Sequence, residues 1–113
     1  MRKIKFRAWH KNRECFVPIQ AHFSFDTNGE LYQTDYKPIE LMQYTGLKDK
    51  NGVEIYEGDI VKTNTGNIVS VEYDNYYGAY LFGGFRTTQD EIYELEIEVI
   101  GNIYENPELL DKD

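Results

Sequence analysis

The chain has a single cysteine, Cys15, in 113 residues, so no disulfide can form within it. A reducing compartment is the setting consistent with that. No apolar run approaches the roughly 18–20 residues a membrane span needs, so no membrane partner is expected. The N-terminus is basic but has no uninterrupted apolar stretch behind it, so no signal peptide is expected and the cytoplasm is the expected location. There is no internal repeat, no low-complexity segment and no phosphate-binding loop. Gly83-Gly84 lacks the lysine and the spacing of one.

Basic residues are scarce after the start of the chain. Arg2, Lys3, Lys5, Arg7, Lys11 and Arg13 are six of the twelve, and from Asp90 onward Lys112 is the only one among nine acidic residues. The net charge of −8 opposes a sequence-independent grip on nucleic acid, whose affinity comes largely from phosphate attraction. A local basic edge remains open as a second reading.

Aromatic residues are plentiful. Ten tyrosines and six phenylalanines suit pleated, half-buried surfaces, and the length suits one ordinary domain with a core of its own. The densest turn chemistry lies in Leu41–Lys62. Lys48-Asp49-Lys50-Asn51-Gly52 ends in Asn-Gly, a strong hairpin signal, and Glu57-Gly58-Asp59 is a second reversal that launches Ile60 and Val61 as a strand. Upstream, Ile4, Phe6 and Ala8 alternate with Lys3, Lys5 and Arg7, which predicts a strand with the apolar set inward. His10–Glu14 reads as a turn, and Cys15-Phe16-Val17 as a returning strand stopped by Pro18. His22–Phe25 and Glu30-Leu31-Tyr32 flank a turn at Asp26–Gly29.

Downstream, Thr63–Asn67 is a turn, Ile68–Tyr73 a strand, Asp74–Gly78 an aromatic loop and Ala79–Phe82 a short strand. Tyr93, Leu95, Ile97 and Val99 alternate with Glu94, Glu96 and Glu98, which predicts another strand. Gly101 marks a bulge or bend. Asn106-Pro107 opens a single helical turn. The fold class is all-β, or mostly β with little helix, with a soft boundary near 38. Residues 1–38 read as an N-terminal strand region and 39–113 as a second compact unit.

Four groupings are candidates for function. Asp49, Glu54, Glu57 and Asp59 suggest either a carboxylate or metal site or, the favoured reading, turn chemistry. His10, Cys15 and His22 fit no metal spacing or Cys-His nucleophile pattern. No metal, catalytic residue or cofactor is therefore assigned. Tyr73, Tyr76, Tyr77, Tyr80 and Phe82 are the best binding candidates, although period two sends about half of such side chains inward. Lys3, Lys5 and Arg7 could face Glu94, Glu96 and Glu98 across neighbouring strands, at roughly 0.2–1 kcal/mol per exposed pair. They could equally form two separate solvated faces.

Tyr44–Gly52, Ile55–Val61, Ile4–Trp9 and Val99–Leu110 together resemble the YopX family of phage and prophage proteins. The resemblance implies a protein encoded by a phage or prophage and acting in the host cell. It also implies a small SH3-like β-barrel in the C-terminal part, and it carries no catalytic residues to this chain. The expectation is a non-enzymatic interaction module for a host or phage protein, with homo-oligomerisation open because small β domains have edges to cover. The alternatives are a nucleic-acid binder using the basic N-terminal strand with exposed aromatics, and a small carboxylate-site enzyme.

Overall fold

The computed structural model describes residues 4–19, 23–33 and 38–110. Arg2, Lys3 and His22 lie outside them. Ten strands, one short helix and a final 3₁₀ turn follow one another among the described residues. Strands β1 (Phe6–His10), β2 (Cys15–Val17), β5 (Ile39–Lys48) and β6 (Glu54–Tyr56) form one antiparallel sheet in the order β2-β1-β5-β6. Strands β7 (Asp59–Lys62), β8 (Ile68–Asp74), β9 (Ala79–Phe82) and β10 (Glu98–Asn102) form a second, in the order β10-β7-β8-β9. Strands β3 (Phe23–Phe25) and β4 (Leu31–Gln33) make a separate hairpin.

β5 is the hinge of this arrangement. Its first half, Ile39 to Gln43, pairs with β1, and Tyr44 and Lys48 pair with β6 across an irregular register. The boundary near 38 therefore falls between two segments whose strands share a sheet. β1 takes one edge of β5 over its first half and β6 the other over its second, and the sheet curls through 185°, half a barrel, and does not close. The closed SH3-like barrel expected over 39–113 is replaced by this half-barrel and a second sheet.

The turns follow their chemistry. The Asp49 carboxylate accepts from the N–H groups of Asn51 (2.8 Å) and Val53 (2.9 Å), which fixes the hairpin between β5 and β6. Asp26 does the same for Asn28 (2.9 Å) and Glu30 (2.8 Å). Gly58 adopts a φ of +87°, and a Cβ there would lie 3.0 Å from Met42 Sδ. Only glycine makes that reversal without strain. The irregularity expected at Gly101 is present as a register shift between Val99 and Gly101.

Two expectations change. The stretch 93–99 is not a strand. Helix α1 (Gln89–Glu94) occupies its start and β10 its end. A capping box decides this. Thr88 Oγ1 accepts from Glu91 N, while Glu91 Oε1 accepts from Thr88 N (both 3.2 Å). Ile92 and Ile97 are buried, whereas Tyr93 and Leu95 are exposed. Near the start of the chain, Ile4 is exposed because β1 begins only at Phe6, and both Ala8 and Trp9 are buried.

The core joins the two sheets. Ile55, Val61, Val71, Phe82, Ile92 and Ile97 form one buried cluster. Trp9 packs edge-on against Phe16 at 5.0 Å and stacks on Tyr104 at 5.8 Å, which brings the first strand against the end of the chain. The last element is the 3₁₀ turn Pro107–Leu110, which follows Asn106 as the Asn-Pro step predicts.

Candidate protein-binding groove

The hairpin of β8 and β9 sets Tyr73 opposite Tyr80, and their rings meet edge to face at 5.1 Å. Tyr76 and Tyr77 sit at its tip, edge to face at 5.0 Å, and Tyr76 is 90% exposed. The Asp74 carboxylate accepts from Tyr77 N at 3.0 Å and shapes that tip. Phe82 is 5% exposed and belongs to the core. Of the five aromatic candidates, then, Tyr73, Tyr76 and Tyr77 reach solvent, Tyr80 is half-buried against the core and Phe82 is inside.

Tyr73 and Tyr80 border a groove of about 820 Å³. Its β5 side is made by alternate residues, Gln43, Thr45 and Leu47, as the strand period requires. Arg86, Thr87, Thr88 and Glu91 line it from the segment that enters α1. A second depression of about 280 Å³ includes Leu41, Met42, Glu72, Ile103 and Tyr104, and shares Glu57 and Tyr73 with the first. Arg86 and Thr87 carry no local motif, and the spacing of Thr88 and Glu91 marks a helix cap but not a groove. They join β5 only through the tertiary fold, so the sequence gives no sign of the groove there.

The four central carboxylates do not converge. Besides its hairpin bonds, buried Asp49 accepts from Val99 N at 3.0 Å and so ties the hairpin to β10. Glu54 pairs with Lys5 at 3.0 Å. The Glu57 carboxylate is 3.4 Å from Gln43 N. Buried Asp59 accepts from Tyr56 N at 2.7 Å and from the Arg7 guanidinium. Burial pushes the Asp59 carboxyl above its ordinary value, and Arg7 and the Tyr56 N–H partly offset that. Burial likewise raises the phenols of Tyr44, Tyr56 and Tyr104. Among the described residues, no three His, Cys, Asp or Glu side chains are placed to hold a metal ion. Cys15 is exposed, and His10 is buried with its Nδ1 accepting from Arg13 N at 3.1 Å.

The basic strand is committed inside its own chain. Arg7 lies between the rings of Phe16 (5.0 Å) and Tyr56 (4.7 Å) as well as against Asp59. It does not face the acidic run within the chain. Glu94 is helical, Glu98 sits opposite Lys62 in the second sheet, and Lys50 lies 3.7 Å from Glu98.

These features define a small two-sheet β protein whose concave surface lies along the seam between its sheets. The chain belongs to the YopX family of phage and prophage proteins, whose model, described as YopX protein, matches residues 5–111. The fold is similar to the crystal structure of protein EF1440 from Enterococcus faecalis, with a TM-score of 0.71 and 28% identity over 96% of this chain and 99% of that one. No curated protein matches. No helix among the described residues is long and apolar enough to cross a membrane.

Proposed function

We propose that this protein is a non-enzymatic interaction module that binds another protein, encoded by the host or the phage, through the groove at Tyr73 and Tyr80 in the host cytoplasm. The observation that carries the reading is the exposure of Tyr73, 43%, at the junction of two adjoining depressions. A partly exposed, ring-buttressed tyrosine beside a concave surface is the kind of anchor that protein interfaces use. The nucleic-acid reading loses support because Lys5 and Arg7 are already ion-paired. The carboxylate-enzyme reading loses support because Asp49 and Asp59 are engaged with backbone donors away from the groove.

The test is capture from bacterial host lysate by tagged wild type and by Tyr73→Ser, each with and without nuclease. A stoichiometric protein held by the wild type after nuclease, and lost by Tyr73→Ser, is the expected result. Capture that nuclease abolishes would overturn the reading in favour of nucleic acid. Capture unchanged by Tyr73→Ser would move the site elsewhere.

A further inference from the structure

The two depressions adjoin at Glu57 and Tyr73 and together mark the seam. From Glu40 to Leu47 they follow β5, and seven residue steps at strand rise make a path of about 23 Å. Along the larger depression the β5 side presents alternate side chains at strand spacing, and Gly78, Ala79 and Tyr80 of the neighbouring hairpin line the same space. Along the smaller one Glu40, Leu41 and Met42 follow in succession. An extended segment of about seven residues matches that length, and its period matches the larger depression.

The charges along the seam are unequal. Glu40 is paired with Lys11 at 2.7 Å, and Glu91 serves the helix cap. Glu57 and Glu72 line the smaller depression together with Tyr73, and neither has an ion-pair partner among the described residues. Among the described residues, the one cation in the lining is Arg86, which borders only the larger depression. The part around Glu57, Tyr73 and Glu72 therefore offers two uncompensated carboxylates beside a partly exposed aromatic face. That combination attracts a cation by charge and by the ring quadrupole, and it repels phosphate.

Resting on the groove being the docking surface, we propose that its occupant is an extended basic segment of a partner protein. Its lysine or arginine sits at Glu57 and Glu72 beside Tyr73, and its chain lies along β5. A second copy of this chain is a poorer occupant. Its Lys5, Arg7, Lys11 and Lys50 already face carboxylates of their own chain, and two copies of net charge −8 repel.

The probes are three fluorescein-labelled nine-residue peptides that alternate threonine with lysine, glutamine or glutamate. They are titrated by anisotropy against the full chain, with amide NMR shifts mapping the contact. The lysine peptide is expected to bind best, to weaken with salt and to shift β5 and Gly78–Tyr80. Glu57→Gln or Glu72→Gln should weaken it about two- to five-fold each, and both together about ten-fold. Equal binding of the glutamine peptide, undiminished binding to the double variant, or shifts outside the seam would each overturn the proposal. The double variant, assayed against the natural partner from lysate, separates the two levels. Capture lost with Tyr73→Ser but intact in the double variant would overturn the basic-segment proposal and leave the interaction reading standing.

Discussion

Gln89 grips the backbone of Lys48 with both ends of its side-chain amide. Its Nε2 donates to Lys48 O at 2.6 Å, and its Oε1 accepts from Lys48 N at 2.9 Å. The amide thus substitutes for a neighbouring strand at the end of β5 and fixes α1 there, beside the groove. Gln89→Ala is expected to lower stability by about 1 kcal/mol, since each bond is exposed and its net worth is modest. Urea unfolding measures this. Faster hydrogen exchange at Lys48 N in the variant would show that the loss is local.

Asp49 holds three N–H donors, those of Asn51, Val53 and Val99, with one buried carboxylate. Asp49→Ala strands those donors and is expected to cost about 3 kcal/mol. Asp49→Asn keeps an acceptor for the hairpin but turns an amide group toward Val99 N, so about half that loss is expected. Urea midpoints of the two variants give the comparison. Equal losses would mean that the hairpin bonds contribute nothing, and no loss in Asp49→Asn that the tie to β10 contributes nothing.

The Asp59 carboxyl is raised above 3.8, first by burial, so the folded chain holds this proton more tightly than the unfolded chain. This group's contribution to stability is therefore fully present below 3.8 and declines as pH rises through the folded value. The stability of the wild type relative to Asp59→Asn should fall across that window. Urea midpoints of both proteins, taken from about pH 3.5 to pH 7, check the slope. A rise instead would mean that the attraction of Arg7 outweighs burial.

Tyr44, Tyr56 and Tyr104 are raised above 10.0, each chiefly by burial, and Glu54 adds to the first two. Their contribution is intact below pH 10.0 and is lost as pH rises beyond it, because the unfolded chain releases these protons first. Alkaline titration followed by phenolate absorbance and circular dichroism should show late ionisation coupled to unfolding. Tyr44→Phe with Tyr56→Phe should make the alkaline loss of stability shallower.

The hairpins were legible in the sequence because their causes are local. Asp49 and Gly52 lie within one turn, as do Asp26 and Gly29, and a short carboxylate or a left-handed glycine acts at that range. The stretch 93–99 misled because alternation of Tyr93, Leu95, Ile97 and Val99 is only a pattern, whereas the Thr88–Glu91 capping box is a pair of hydrogen bonds. That box could have been read from the Thr-x-x-Glu spacing. The aromatic set was half legible. Alternation says only that about half of the set turns inward, without naming Phe82, and the turn leaves Tyr76 outside, but nothing local says that Tyr73 borders a groove. The groove itself joins β5 to Arg86 and Glu91, and contacts that distant in the chain leave no periodic trace.

The stacking of Trp9 on Tyr104 gives the protein a built-in optical reporter. Trp9 is the one tryptophan in the chain, and it is buried where the first strand meets the end of the fold. Its emission therefore reads the docking of the chain's two ends on each other, while far-ultraviolet signals read the sheets as a whole. In the second sheet β7, β8 and β9 pair in succession, whereas β1 with β5 and β10 with β7 each pair across a long loop. Those two closures carry similar entropic costs, both larger than that of a hairpin. In stopped-flow refolding, the tryptophan signal is expected to lag the early backbone signal that the local hairpins give.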